Sequence, residues 1–218
     1  MSLQLFAHPF SSYCWKVEIA LYENGTPFEL RILDEAHPDN GAELARLWPM
    51  AKFPLLLDGE AAVMESSIII EHLDLYHPGP VPMIPVDPKA ALQVRKLDRI
   101  FDNHVMAPMQ RVVADALRGP ERHDPAEVAN AKAALARIYA WLDDHMTDRE
   151  WASGHFSIAD CAAAPALFYA DWVHPIPDAQ RHLRDYRARL LSRPSVVRAV
   201  DEARPYRAFF PLGAPNRD

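Results

Sequence analysis

The sequence predicts an α/β unit followed by an all-helical one, and three observations carry that prediction. Strand-like and helix-like stretches alternate up to residue 77, prolines crowd residues 78–88, and beyond them the apolar residues recur only at helical spacing. The expected organisation is therefore an α/β domain at 1–77, a proline-rich linker at 78–88 and a helical domain at 89–218.

The elements follow in order. Leu3 and Leu5 alternate with Gln4 and Phe6, which reads as a strand ending before His8-Pro9-Phe10-Ser11. Helical spacing then puts Cys14, Val17 and Leu21 on one face, and Asn24-Gly25 supplies a left-handed stop. Phe28 to Ile32 is the next strand, so strand, helix and strand form a right-handed parallel crossover. A second helix is expected from Glu35 to Leu47. Pro54 to Leu57 and Ala62 to Met64 flank Asp58-Gly59-Glu60, a hairpin turn that makes the last two strands antiparallel. Ser66 to Tyr76 carries apolar residues at Ile69, Ile70 and Leu73, and His77-Pro78-Gly79-Pro80 ends that helix. Pro78, Pro80, Pro82, Pro85 and Pro88 hold the linker extended. Helices are then expected over Leu92–Met106, Pro125–His145, Ile158–Tyr169 and Arg181–Leu191.

Composition narrows the function. With 50% hydrophobic residues in 218, the chain can bury a real core, which excludes disorder. Residues 1–77 carry 4 Lys+Arg against 12 Asp+Glu, a field that repels nucleic acid. The arginines between Arg181 and Arg207 are interrupted by Asp185, Asp201 and Glu202, the pattern of a solvated helix face. No stretch approaches the roughly 20 apolar residues of a membrane span, and Met1 to Ala7 lacks the basic start and apolar core of a signal segment. Two cysteines, Cys14 and Cys161, make no disulfide framework, so a reducing, cytoplasmic setting is expected. None of the ten histidines falls in a zincin pattern, so no metal is expected. A glycine-rich phosphate loop and a Gly-x-Ser-x-Gly elbow are both missing from the sequence.

Four short stretches can carry chemistry. Ser11-Ser12-Tyr13-Cys14 lies where the first strand gives way to a helix, whose unpaired N–H groups favour an anion such as a thiolate. A plain N-cap at Ser11 or Ser12 satisfies the same residues, and Cys14 on the apolar face reads as an inert buried thiol. Lys52-Phe53-Pro54-Leu55 opens the third strand, where a cis X-Pro bond would present the Phe53 backbone to an extended peptide; a trans strand-start proline is the plainer reading. Glu65-Ser66-Ser67 opens the third helix. Its amides and the Ser66 hydroxyl can take a carboxylate and Glu65 an ammonium, together an α-amino acid head, although a capped acidic helix start uses the same residues. Ser157-Ile158-Ala159-Asp160, with Phe156 as a staple, reads as a structural capping box, and Cys161 as packed behind it.

Taken in this order, these stretches resemble the cytosolic glutathione transferase superfamily over nearly the whole chain. Residues 11–21, from Ser11 to Leu21, look like the active-site segment of its zeta and related serine-type classes, and Leu47 to Pro54 looks like the segment leading to its cis-proline. The resemblance implies the glutathione transferase fold: a thioredoxin-like α/β N-terminal domain followed by an all-α C-terminal domain. It implies glutathione as co-substrate and a homodimer. By it, Ser11 matches the serine that hydrogen-bonds the glutathione sulfur, with Ser12, Tyr13 and Cys14 as rivals. Phe53 matches the residue whose backbone pairs with the cysteinyl part, Pro54 matches the cis-proline, Lys52 before them is expected to bind glutathione as well, and Glu65 with Ser66 falls where the γ-glutamyl group binds. Tyr13 and Cys14 depart from the zeta pattern, which has cysteine then serine there.

The expected activity is conjugation of the glutathione thiolate to a hydrophobic electrophile in a detoxification role. Phe10, Tyr13 and His104 are expected to wall the electrophile's side, with Met106 and Met109 either there or in the core. The alternatives are a glutathione-dependent isomerase or dehalogenase, and a non-catalytic interaction module of the same fold. A neutral serine suffices energetically. Lowering a thiol pKa by about two units takes roughly 2.7 kcal/mol, against about 1.5–3 from a hydrogen bond to a charged group and about 0.3–1 from a helix N-terminus.

Overall fold

The computed structural model describes residues 3–218. Four strands, β1 (Leu3–Ala7), β2 (Phe28–Ile32), β3 (Leu55–Asp58) and β4 (Ala61–Met64), form one sheet in the order β2-β1-β3-β4. β1 and β2 run parallel with Leu3 opposite Phe28, while β1 with β3 and β3 with β4 run antiparallel. The parallel pair needs a crossover, which α1 (Ser12–Glu23) supplies, and the β3–β4 turn is two residues long with Gly59 at φ 61°.

The period of two along each strand sorts the side chains into two cores. Leu3, Leu5, Ala7 and Leu56 face α1 and α3 (Ser66–Tyr76), in one hydrophobic body that continues into the helical domain. Phe6 and Leu55 face the other way and bury Leu44 of α2 (Pro38–Leu47). α2 starts three residues later than its sequence pattern suggests. Asp34 Oδ1 accepts from the N–H groups of Ala36 and His37, both at 3.0 Å, so residues 34–37 form a turn and Pro38 opens the helix.

Asn24 does more than end α1. Its side chain donates to Val81 O at 3.1 Å and accepts from Val81 N–H at 2.8 Å, clamping the extended proline segment to the end of α1. Gly79 is required there, because a Cβ would come within 2.4 Å of the Asn24 side chain.

The helical part comprises α4 (Pro88–Ile100), α5 (Ala107–Leu117), α6 (Pro125–Met146), α7 (Ile158–Val173), α8 (Arg181–Ser192) and α9 (Pro194–Ala203). α4 is capped by Asp87, which accepts from Ala90 N–H, and runs through a wide π-helical turn, Phe101–Met106, directly into α5. Pro108 lies just past that turn; lacking an N–H and crowding the carbonyl four residues back, it is the local reason for the widening. The sequence pattern missed α5 and α9, both of which start at or beside a proline.

α7 is buried along its whole length, despite Pro165 within it, and is the central post of the molecule. α1 lies against it: Trp15 packs 4.9 Å from the Phe168 ring and 5.2 Å from that of Tyr169, and the Tyr169 hydroxyl donates to Phe10 O at 3.0 Å. The start of α7 is the expected capping box. Ser157 accepts from Ala159 N–H, and Asp160 returns to Ser157 N–H at 3.0 Å. Asp160 also accepts from Ala152 N–H at 2.9 Å and from the Tyr186 hydroxyl at 2.6 Å, tying α7 to α8. Ser157→Ala should lower stability by about 1–2 kcal/mol, the upper part of the range for a lost N-cap because the orphaned amide is buried. A lower urea midpoint at unchanged slope checks it.

Candidate functional site

The start of α3 has an unusual local construction. Glu65, the residue before its first turn, holds φ 70° and ψ 115°, and its side chain makes no capping bond. A non-glycine residue there carries roughly 1–3 kcal/mol of backbone strain. Glu65 is the N-cap, and with its side chain unengaged the first amides of α3 have no side-chain acceptor from the cap. Ser66 is buried beside it, and Ser67 reaches inward.

These groups open onto a cavity of about 630 Å³ between the sheet domain and α4. Lys52, Phe53 and Pro54 form its second side, and the Phe53–Pro54 peptide bond is cis. Tyr13, on the first turn of α1, forms a third, and burial with the nearby Asp102 carboxylate pushes its phenol up to about 12, so it stays a neutral O–H.

Below the cavity lies a buried charge network. Lys16 of α1, 1% exposed, is 2.5 Å from Asp98 Oδ1 and 2.8 Å from Asp102 Oδ2, and donates to Ser67 Oγ at 2.8 Å. Ser67 in turn donates to Asp98 Oδ2 at 2.9 Å, and the half-exposed Arg99 covers both carboxylates. Burial raises Asp102, against the pull of Lys16. One lysine thus fixes the first turn of α3, the first helix and the π-helical turn together. Across the mouth, Arg95 forks onto Glu71 at 2.9 and 2.7 Å. Among the described residues neither Lys52 nor Glu65 has an ion-pair partner, so one cation and one carboxylate face the cavity uncommitted.

Of the residues singled out in the sequence, Tyr13, Lys52, Phe53, Pro54, Glu65 and Ser66 share this cavity. Ser11, Phe10 and His104 do not line it. Ser11 is the half-buried N-cap of α1; its carbonyl accepts from Cys14 and Trp15 N–H at 3.0 Å, and its hydroxyl makes no capping bond. Ser12 and Cys14 are buried, and burial pushes the Cys14 thiol far up, which makes it inert. The Phe10 ring is drawn 5.4 Å from that of Tyr169 and so joins the α7 core. His104 is exposed on the outside of the π-helical turn, and Met106 and Met109 are core residues at 1% and 4% exposure.

The helical wall is instead polar: Arg95, Asp98, Arg99, Asp102, Asn103 and Gln110. Sequence reasoning missed it. The positions 95, 98, 99 and 102 follow helical spacing and do mark one charged stripe, but nothing local says that the stripe faces a ligand cavity and not water.

Comparison with known proteins agrees with this architecture. Residues 5–81 match the family model described as glutathione S-transferase, N-terminal domain, and residues 125–189 match that of the C-terminal domain. The chain is 33% identical over 170 residues to a probable maleylacetoacetate isomerase of Caenorhabditis elegans, covering 77% of this chain and 78% of that one. It is 26% identical over 204 residues to a stringent starvation protein A homolog of Coxiella burnetii, covering 92% of each. A glutathione S-transferase of Methylobacterium radiotolerans, solved in complex with glutathione sulfonate, superposes with a TM-score of 0.78 at 29% identity, over 92% of this chain and 95% of that chain. With both domain signatures in order on one chain and the sheet, cis-proline and helical bundle in place, the protein belongs to the glutathione transferase superfamily.

Proposed function

We propose that the cavity at the start of α3 binds glutathione and that the bound thiol, its proton released to solvent, attacks as the thiolate an electrophilic carbon of a second substrate, forming a carbon–sulfur bond as the leaving group on that carbon departs with its bonding electrons. The observation that carries this reading is the uncommitted pair Glu65 and Lys52 beside the free amides of α3. Glutathione offers the complement: an ammonium for Glu65, an α-carboxylate for the Ser66 hydroxyl and the α3 amides, and a second carboxylate for Lys52. Its cysteinyl backbone then runs along Phe53 and Pro54, which directs the sulfur toward the start of α1. The complex of the Methylobacterium relative with glutathione sulfonate supports the ligand.

Ser11 is the proposed sulfur donor, a hydroxyl at a helix N-terminus that acts without ionising; Tyr13, a neutral phenol already on the cavity, is its rival. Residues 1–77 would hold glutathione and residues 89–218 the second substrate, in a cytoplasmic homodimer. Two further readings have specific support. The name of the nematode relative points to isomerisation, in which glutathione is added and then released. The polar helical wall, with Phe10 and both methionines withdrawn, together with the stringent starvation protein relatives, supports a module that has kept the fold without conjugation.

Titration calorimetry with glutathione and the ultraviolet absorbance of the bound thiolate test the proposal. Ser11→Ala should raise the pKa of the bound thiol by about one to two units while Tyr13→Phe leaves it in place. The reverse pattern makes Tyr13 the donor. No binding at millimolar glutathione sinks the enzymatic reading in favour of the interaction module.

A further inference from the structure

Away from the cavity, three ligating side chains meet at the opposite end of α3. Asp58 closes β3 at the hairpin, His72 lies in the middle of α3, and His77 is its C-cap. The cap residue leaves helical geometry, with φ −134° and ψ 52°, which swings the His77 ring back beside His72, 6.2 Å between centroids. Both Nε2 atoms converge on the same carboxylate oxygen, Asp58 Oδ2, at 2.9 Å from His72 and 2.7 Å from His77. The three donor atoms lie within 4.8 Å of one another. None of the three residues lines the glutathione cavity.

We propose that Asp58, His72 and His77 form a binding site for a borderline divalent transition ion, with zinc as the reference ion. The donor set is two imidazole nitrogens and one carboxylate oxygen, which suits zinc, nickel or copper and not the all-oxygen shells of magnesium and calcium. In a tetrahedral zinc shell the ligand atoms stand about 3.3 Å apart, so each ring nitrogen would withdraw from Asp58 Oδ2 by roughly half an ångström, inside the 4.8 Å that already contains all three donor atoms. The side chains are 24%, 16% and 33% exposed for Asp58, His72 and His77, so they are partly ordered by packing yet open to an ion from solvent. The fourth position is left to water. Among the described residues no lysine or arginine pairs with Asp58, so its charge is neutralised by nothing stronger than the two rings.

Occupancy would cross-link the β3–β4 hairpin to the C-terminal end of α3, the helix whose first turn forms the candidate ligand site. No local pattern along the chain marks this site. Asp58 lies fourteen residues before His72 and on a different element, and the two histidines are five apart, not the i, i+4 pair of the His-Glu-x-x-His helix.

Two imidazole N–H groups donating to one carboxylate produce the same convergence without an ion, and the test is built to separate the two. Untagged protein is titrated with zinc against a chelating dye, with cobalt as an absorption probe and magnesium as the hard-ion control. The expected result is one zinc per chain, a visible cobalt spectrum of four-coordinate type, no response to magnesium and a melting temperature that climbs with zinc concentration. His77→Gln and Asp58→Asn, at partly exposed positions, should each weaken zinc binding by at least the roughly 10–100-fold that loss of an outer-shell partner produces. The proposal is overturned if wild type takes up no zinc at 100-fold the protein concentration, or if His77→Gln and His72→Gln bind it as tightly as wild type.

Discussion

Lys16→Met should destabilise the protein by about 3–5 kcal/mol, the range for breaking a buried ion pair by removing one partner. Lys16 is 1% exposed, and its ammonium is the only cation of the network below the surface; Asp98 and Asp102 have side chains 3% and 5% exposed, and Arg99 reaches them only from the rim. Without Lys16, two carboxylates that share one ammonium, at 2.5 and 2.8 Å, would be left to one half-exposed guanidinium, in a medium that solvates them poorly. The methionine fills much the same volume, so the loss reports charge and not packing. Urea denaturation measures it, and the triple variant Lys16→Met, Asp98→Asn, Asp102→Asn should recover a substantial part. If Lys16→Met alone matches wild type within about 0.5 kcal/mol, the network contributes nothing net to the fold. Because Ser67 is one of its ligands, the same variant should also loosen the first turn of α3 and weaken glutathione binding.

Glu18→Gln should act in the opposite direction, by an amount that grows as pH rises from about 4.5 to about 8. Glu18 is on α1 at 1% exposure, one of its oxygens has no partner, and it faces Glu202 and Arg198 of α9. Burial, and then the Glu202 charge, push its carboxyl up to about 8 from an ordinary 4.5. Arg198 is engaged elsewhere, 2.9 Å from Glu202 and over the Tyr22 ring, and Tyr22 donates to Glu202 at 2.6 Å. The sign follows from proton binding. Between the two values the folded chain holds a proton that the unfolded chain has released, so stability falls as pH rises through that window and levels off above the folded value. Glutamine has no such proton. The variant should match wild type near pH 4.5 and exceed it at pH 9 by on the order of 4 kcal/mol. Denaturation at both pH values checks this, and a difference that does not grow with pH removes Glu18 as the titrating group.

Much of the fold was legible in the sequence because its signals are local. The alternation of Leu3 and Leu5, the Asp58-Gly59-Glu60 turn and the Ser157…Asp160 box are each decided within a few residues, and each forms where the pattern puts it. α5 and α9 were not legible, since Pro108 and Pro194 read as breaks when one follows a π-helical turn and the other opens a new helix. α7 ran four residues past its expected end, because a helix buried on all sides has no amphipathic boundary to read.

The candidate site divides the same way. The sequence by itself determined the α/β-then-helical architecture and the short segments that hold Lys52, Phe53, Pro54, Glu65 and Ser66, since turn chemistry, capping and strand period are encoded by neighbours along the chain. Only the tertiary structure decided that Phe10 turns into the α7 core, that Lys16 is buried between Asp98 and Asp102, that the helical wall of the cavity is polar, and that Asp58 meets His72 and His77. Those outcomes depend on which faces of α1, α3, α4 and α7 are pressed together. Burial and charge pairing are properties of the space between elements, and no residue carries them in its own sequence context.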